Sequence, residues 1–184
     1  MRNLLFSLVA IAMSGCATTA AKPVPADLFF ASLKPLCGKS FAGRLVTTDP
    51  ADAGFAGTPL VARSVGCSKG EVRIAFDVGA DRSRTWIITR TPDGLRLKHR
   101  HLLKDGSVDP MSNYGGDTTG PGNALRQEFP ADAESKAMFV REGRQVSLTN
   151  VWAFEVAPGD TLTYELARPG RLFRVTFDLS KPLP

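Results

Sequence analysis

The last third of the chain leaves few folds open to it. Between Val146 and Leu179 apolar residues recur at every second position. Val146, Leu148, Asn150, Trp152, Phe154 and Val156 share one face. Leu162, Tyr164 and Leu166 share the next, and Phe173, Val175, Phe177 and Leu179 the third, with Arg174, Thr176 and Asp178 opposite. A period of two is that of a half-buried β-strand. Pro158-Gly159-Asp160 and Pro169-Gly170 stand between the runs and supply turn chemistry. The segment predicts three strands in an antiparallel meander.

The same grammar extends upstream. Ser40–Thr48, Leu60–Cys67, Glu71–Val78, Arg84–Arg90, Leu95–Leu103 and Ala124–Phe129 read as strands, with Ser68-Lys69-Gly70 and Thr91-Pro92-Asp93-Gly94 as tight turns. Asp49–Pro59 reads as a loop. Asp27 is placed to cap a short helix over Leu28–Lys34 that Pro35 stops, and Asp132 to cap another through Phe139. About nine strands without a strand–helix–strand spacing predict an all-β fold: an antiparallel up-and-down barrel or strongly curved sheet with two short helices. Closing the sheet removes its exposed edges. One domain over residues 26–184 accommodates all of it.

Leu95–Gly122 is the stretch most apt for a site. Leu95, Leu97, His99, His101 and Leu103 share a strand face, with Arg96, Lys98 and Arg100 on the other, so both histidines of the chain face inward. They suit a polar patch on a cavity. A metal site needs three or four protein ligands, and the pattern supplies two. The segment Lys104–Gly122 then reads as a long loop, a candidate lid. Asp105-Gly106-Ser107-Val108-Asp109 starts like a calcium loop, but Pro110 and Gly116 stand where a turn glycine and a bidentate glutamate are required. Tyr114-Gly115-Gly116-Asp117-Thr118 reads as an Asx-type turn with a surface tyrosine.

Residues 1–15 have the layout of a secretory signal peptide: Arg2, an apolar run from Leu4 to Met13, then small residues leading to Cys16. Met13-Ser14-Gly15-Cys16 resembles the lipobox of bacterial lipoproteins, which implies that Cys16 becomes a lipidated N-terminus. Ala17 after it implies the outer membrane as destination, with residues 16–25 as tether. Cys37 and Cys67 remain as a pair, and in an oxidising compartment they predict a disulfide. Removing Arg2 with the signal lowers the formal net charge from +5 to +4. The basic residues are scattered rather than clustered, which argues against nucleic acid as a partner.

By architecture alone, the chain resembles the lipocalin and fatty-acid-binding superfamily, the calycins, including its lipid-anchored bacterial members. The resemblance implies a β-barrel that holds one small, apolar ligand. Haem-binding barrels of this kind use a lone inward histidine, which directs attention to His99 or His101; no cofactor is called for by a motif. On the residues themselves, His99, His101, Asn150, Trp152, Tyr114 and Asp117 would line such a ligand site, with Tyr164 and Phe154 beside them. Two further readings stand next to this one. An envelope structural or assembly lipoprotein would bind another protein through its lid or a sheet edge. An enzyme would use His99 or His101 as general base, oriented by Asp109 or Asp117, but no nucleophile elbow or paired-carboxylate motif accompanies them.

Overall fold

The computed structural model describes residues 24–184. The segment read as signal peptide and lipobox, with Cys16, lies outside the described residues. The order is α1 (Pro25–Ser32), β1 (Ser40–Leu45), β2 (Leu60–Cys67), β3 (Glu71–Val78), β4 (Asp81–Thr91), β5 (Gly94–His101), β6 (Tyr114–Asp117), β7 (Arg126–Pro130), α2 (Ala133–Arg141), β8 (Val151–Ala157), β9 (Thr161–Arg168) and β10 (Arg171–Pro182). The ten strands form one antiparallel sheet in the order β6-β5-β4-β3-β2-β1-β10-β9-β8-β7. Each strand therefore pairs with its sequence neighbour, and β1 pairs with β10. The result is a nearly closed up-and-down barrel with a single seam, between β6 and β7.

The seam is closed by α2 rather than by a ladder. Asp132 caps the helix by accepting from the Ser135 amide at 2.8 Å. Its own amide donates to the Gly115 carbonyl at 2.9 Å. The Ser135 hydroxyl accepts from the Gly115 amide at 2.7 Å and donates to its carbonyl at 3.0 Å. Lys98 on β5 reaches across to Asp132 and Glu134, each at 2.9 Å. This close approach requires glycine: a Cβ on Gly116 would stand 1.8 Å from the Pro130 carbonyl oxygen.

Helix α1 plugs the base of the barrel. Val24 is its N-cap with no side-chain bond, and Pro25 occupies the first turn, where a missing N–H costs nothing. Asp27 is thus inside the helix rather than capping it, and is paired with Arg90. Phe29, Phe30 and Leu33 are at most 1% exposed and join the core beneath β5 and β7. Cys37 and Cys67 form the disulfide, tying the start of β1 to the end of β2. The alternating strand positions meet inside as one aromatic-rich cluster containing Phe41, Phe76, Trp86, Trp152, Phe154, Tyr164, Phe173 and Phe177.

Most strand and helix ends move by one to three residues from the sequence-based boundaries, β1 ending at Leu45, and two differences are larger. β8 begins at Val151, because Gln145–Ser147 forms a 3-10 turn. The tenth strand, β6, lies inside the segment read as a continuous lid. Tyr114–Asp117 is a strand and not an Asx turn, and Tyr114 turns into the barrel. Backbone pairing with β5 on one side and bonds from α2 on the other impose this, against the local preference of two glycines.

Candidate functional site

β5 runs from the base toward the rim, so its two histidines reach different depths. His99 is 3% exposed, whereas His101, where the strand ends, is partly exposed. The His99 Nδ1 lies 3.2 Å from the Tyr114 carbonyl oxygen and the Nε2 2.8 Å from the Tyr164 hydroxyl. A carbonyl only accepts, so Nδ1 carries the hydrogen; Nε2 is then the acceptor, and Tyr164 donates to it. Both ring nitrogens are satisfied in one neutral tautomer. Burial, with the nearby His101 and Lys98 adding to it, pushes the His99 pKa down to about 3.

Rings close in on His99 from several sides. Tyr114 stacks on it with centroids 4.7 Å apart and planes 13° apart, and Trp152 leans in at 5.0 Å. Tyr164 stacks on Trp86 at 4.4 Å, Trp86 stacks on Phe76 at 4.7 Å, and Phe154 meets the edge of Trp86 at 5.2 Å. Each separation is that of rings in contact. Desolvation raises the pKa of the Tyr164 hydroxyl well above its ordinary value and that of Tyr114 to about 12, so both are neutral donors.

At the rim, the Tyr114 hydroxyl and the His101 Nε2 share a hydrogen bond of 3.0 Å. Burial and then Arg84 lower the His101 pKa, while Asp109 and Asp81 oppose them. The Ser112 hydroxyl accepts from the His101 amide at 2.9 Å and donates to its carbonyl at 3.3 Å, so it is engaged with backbone and not with the ring. Asp109 accepts from the Met111 amide at 2.7 Å. The rim thus gathers His101, Tyr114, Arg84, Asp81 and Asp109, and the hydroxyl that reaches the His101 imidazole is the phenol of Tyr114.

Of the residues singled out from the sequence, His99, His101, Tyr114 and Trp152 come together. Asn150 and Asp117 do not join them. Asn150 is buried ahead of β8 and accepts from Arg168 at 3.2 Å. Asp117 faces outward in a bidentate pair with Arg96, at 2.6 and 2.8 Å. Trp86 was missed, although the alternation of β4 places it inward with Ile88; its register partner is His99 itself.

Concavities lie at the ends of the barrel. One of about 660 Å³ opens at the rim between Ala80–Ser83 and Leu102–Lys104, and one of about 550 Å³ at the base between the start of α1, Thr91–Gly94 and Thr118–Pro121. A third, of about 740 Å³, follows the β1–β2 connection. None of the three is lined by His99, His101, Tyr114, Asn150 or Trp152. Among the described residues, no group of three or more His, Cys, Asp or Glu side chains converges as a metal site requires. No family model matches the chain, and no curated protein or solved structure matches it.

Proposed function

We propose that this chain is an exported, lipid-anchored protein of the bacterial cell envelope whose barrel is a solid scaffold and whose partner is another envelope protein, held from outside. The observation that carries this reading is the packing around His99. A ligand at the centre would have to part the Tyr114, His99 and Trp152 rings and the Phe76–Trp86–Tyr164 stack, and would leave a buried imidazole and phenol without partners. Leaving such groups unpaired costs ~1–3 kcal/mol each, before any loss of ring contact.

The topology favours the rim as the partner face. α1 and the turns after β2 and β4 lie at the base, where the chain arrives from Cys16. The β3–β4 turn, the β5–β6 loop and α2 lie at the opposite end. There Leu103 and Val108 are 44% and 49% exposed in a loop pinned by the Leu102–Val108 bridge. Leu103 lines a concavity that also carries Arg82 and Lys104.

A photo-crosslinking residue at Val108, introduced in the source bacterium, tests this. It should trap one discrete envelope protein, and the same residue at outward Thr163 should not. Native mass spectrometry of the barrel purified from that bacterium provides the counter-test. A stoichiometric small molecule that departs in His99→Ala would overturn the solid-scaffold reading and restore an interior ligand.

A further inference from the structure

An exposed helix on a water-soluble barrel ordinarily turns polar residues outward. α1 does not. Ala26, Phe29, Phe30 and Leu33 face the core. The residues on the opposite side, Val24, Leu28, Ala31 and, one turn past the helix, Pro35, are all exposed and all apolar, with Val24 at 56% and Leu28 at 44%. The polar groups nearby are tied down: Asp27 by Arg90, Ser32 by the Phe29 carbonyl at 2.7 Å, and Lys34 by the Ser68 carbonyl. A helix that is apolar on both sides is covered on both sides, and among the described residues nothing packs on the outer one.

We infer that this outer face of α1 lies on the lipid surface that holds the anchor, and so stands the barrel base-down on the membrane. The inference rests on the lipid-anchored reading above. Cys16 precedes Val24 by eight positions, so even a fully extended link keeps the stripe within ~29 Å of the acylated residue. That tether gives the stripe a high effective concentration at the bilayer, and a small apolar face then suffices to dock. Charge is arranged to match. Lys34, next to Pro35, bonds the Ser68 carbonyl of the β2–β3 turn, and the exposed Lys69 is the next residue of that turn, so this end of the stripe is basic. At the other end Asp27 is neutralised by Arg90, and Asp93 remains as the opposing charge.

The test uses the full-length protein, processed and purified in detergent, then reconstituted into vesicles of phosphatidylethanolamine and phosphatidylglycerol with acyl chains brominated near the headgroup. Two variants are compared, Leu28→Trp at the base and Asp105→Trp at the rim, each against the parent, whose own Trp86 and Trp152 are buried in the core. Intact-mass analysis and vesicle flotation report the anchor separately. The expected result is an acylated, floating protein in which L28W loses at least half of its added fluorescence to the brominated lipid and D105W less than a tenth. An acylated, floating protein with both variants equally unquenched overturns the docking alone. A blue-shifted L28W that the lipid leaves unquenched overturns it too, since a protein then covers the stripe. An unacylated protein that does not float overturns the docking together with the anchor.

Discussion

Acid should unfold this barrel from an unusual starting point, because its central imidazole is held neutral. Ordinary His99 chemistry in the unfolded chain titrates near 6.5, whereas the folded chain holds it at about 3. Between those values the unfolded state binds a proton that the folded state refuses. By linkage, stability rises with pH wherever the unfolded state binds more protons. The contribution is therefore fully present above pH 6.5, falls as pH drops below it, and levels off near 3. At pH 5 the loss from this one ring is ~2 kcal/mol, with the slope approaching ~1.4 kcal/mol per pH unit below that. His101 is shifted in the same direction and adds to the slope. The carboxylates whose pKa is lowered, Asp81 and Glu165 among them, also lose stability in acid, but only at and below their unfolded values of 3.8 and 4.5. The window from pH 5 to 6.5 thus belongs to the histidines. Urea midpoints at constant m-value, taken every half unit from pH 8 to 5, measure the slope. His99→Gln should remove about one proton from it, leaving the share of His101. Nitrogen-15 NMR of the parent should find His99 protonated on Nδ1 and unchanged down to pH 5. A flat stability profile, an H99Q slope equal to the parent's, or a His99 resonance with a midpoint above 5 would refute the burial argument.

Three further outcomes follow from the same geometry. Gly116→Ala places a methyl 1.8 Å from the Pro130 carbonyl oxygen and should cost at least ~2 kcal/mol by overpacking, with faster amide exchange at Gly115 and Ser135; Gly120→Ala, which meets nothing within 4 Å, is the control in the same thermal melts. Replacing both Cys37 and Cys67 with serine opens a closure of 30 residues and should lower the urea-unfolding free energy by ~3–4 kcal/mol in the chain-entropy model, without changing the far-ultraviolet circular dichroism at low temperature. Arg171→Ala strips the guanidinium from Asp52, which is 1% exposed; an unpaired buried carboxylate costs ~3–5 kcal/mol, and adding Asp52→Asn should recover part of it in the same assay.

Much of the architecture was legible because it is local. β2 and β3 fall on the residues that alternation and turn chemistry mark, and Asp132 caps α2 as its position before the helix implies. The elements that escaped are those that neighbours in space impose. β6 has four residues, two of them glycine, and no apolar period; it is a strand because Leu97 and Lys98 pair with Gly116 and Gly115 and because α2 holds the far side. Asn150 was aligned with Trp152 by extending a period of two back to Val146, but the 3-10 turn at Gln145–Ser147 breaks the alternation before β8 begins. Asp117 follows from the same missed strand: once Tyr114 points inward, the residue three positions on points out, to Arg96.

The deeper limit concerns the interior. Alternation says which side chains face inward, and here it placed His99, Trp152, Phe154 and Tyr164 correctly on that face. It does not say how much room lies between them. That depends on barrel radius, hence on strand count and closure, weighed against the volumes of the inward residues. A ten-strand barrel could enclose a ligand if its inward positions were small. This one puts Phe76, Trp86, Trp152, Phe154, Tyr164, Phe173 and Phe177 there, and α1 adds Phe29 and Phe30 from below. Rings of that size touch across the axis, and His99 is packed among them. The two histidines, equivalent in the sequence, are thereby separated in chemistry. His99 sits in the stack as a fixed neutral acceptor for Tyr164. His101, one pleat further along β5, reaches the rim, where Arg84, Asp81 and Asp109 lie close enough to act on its charge.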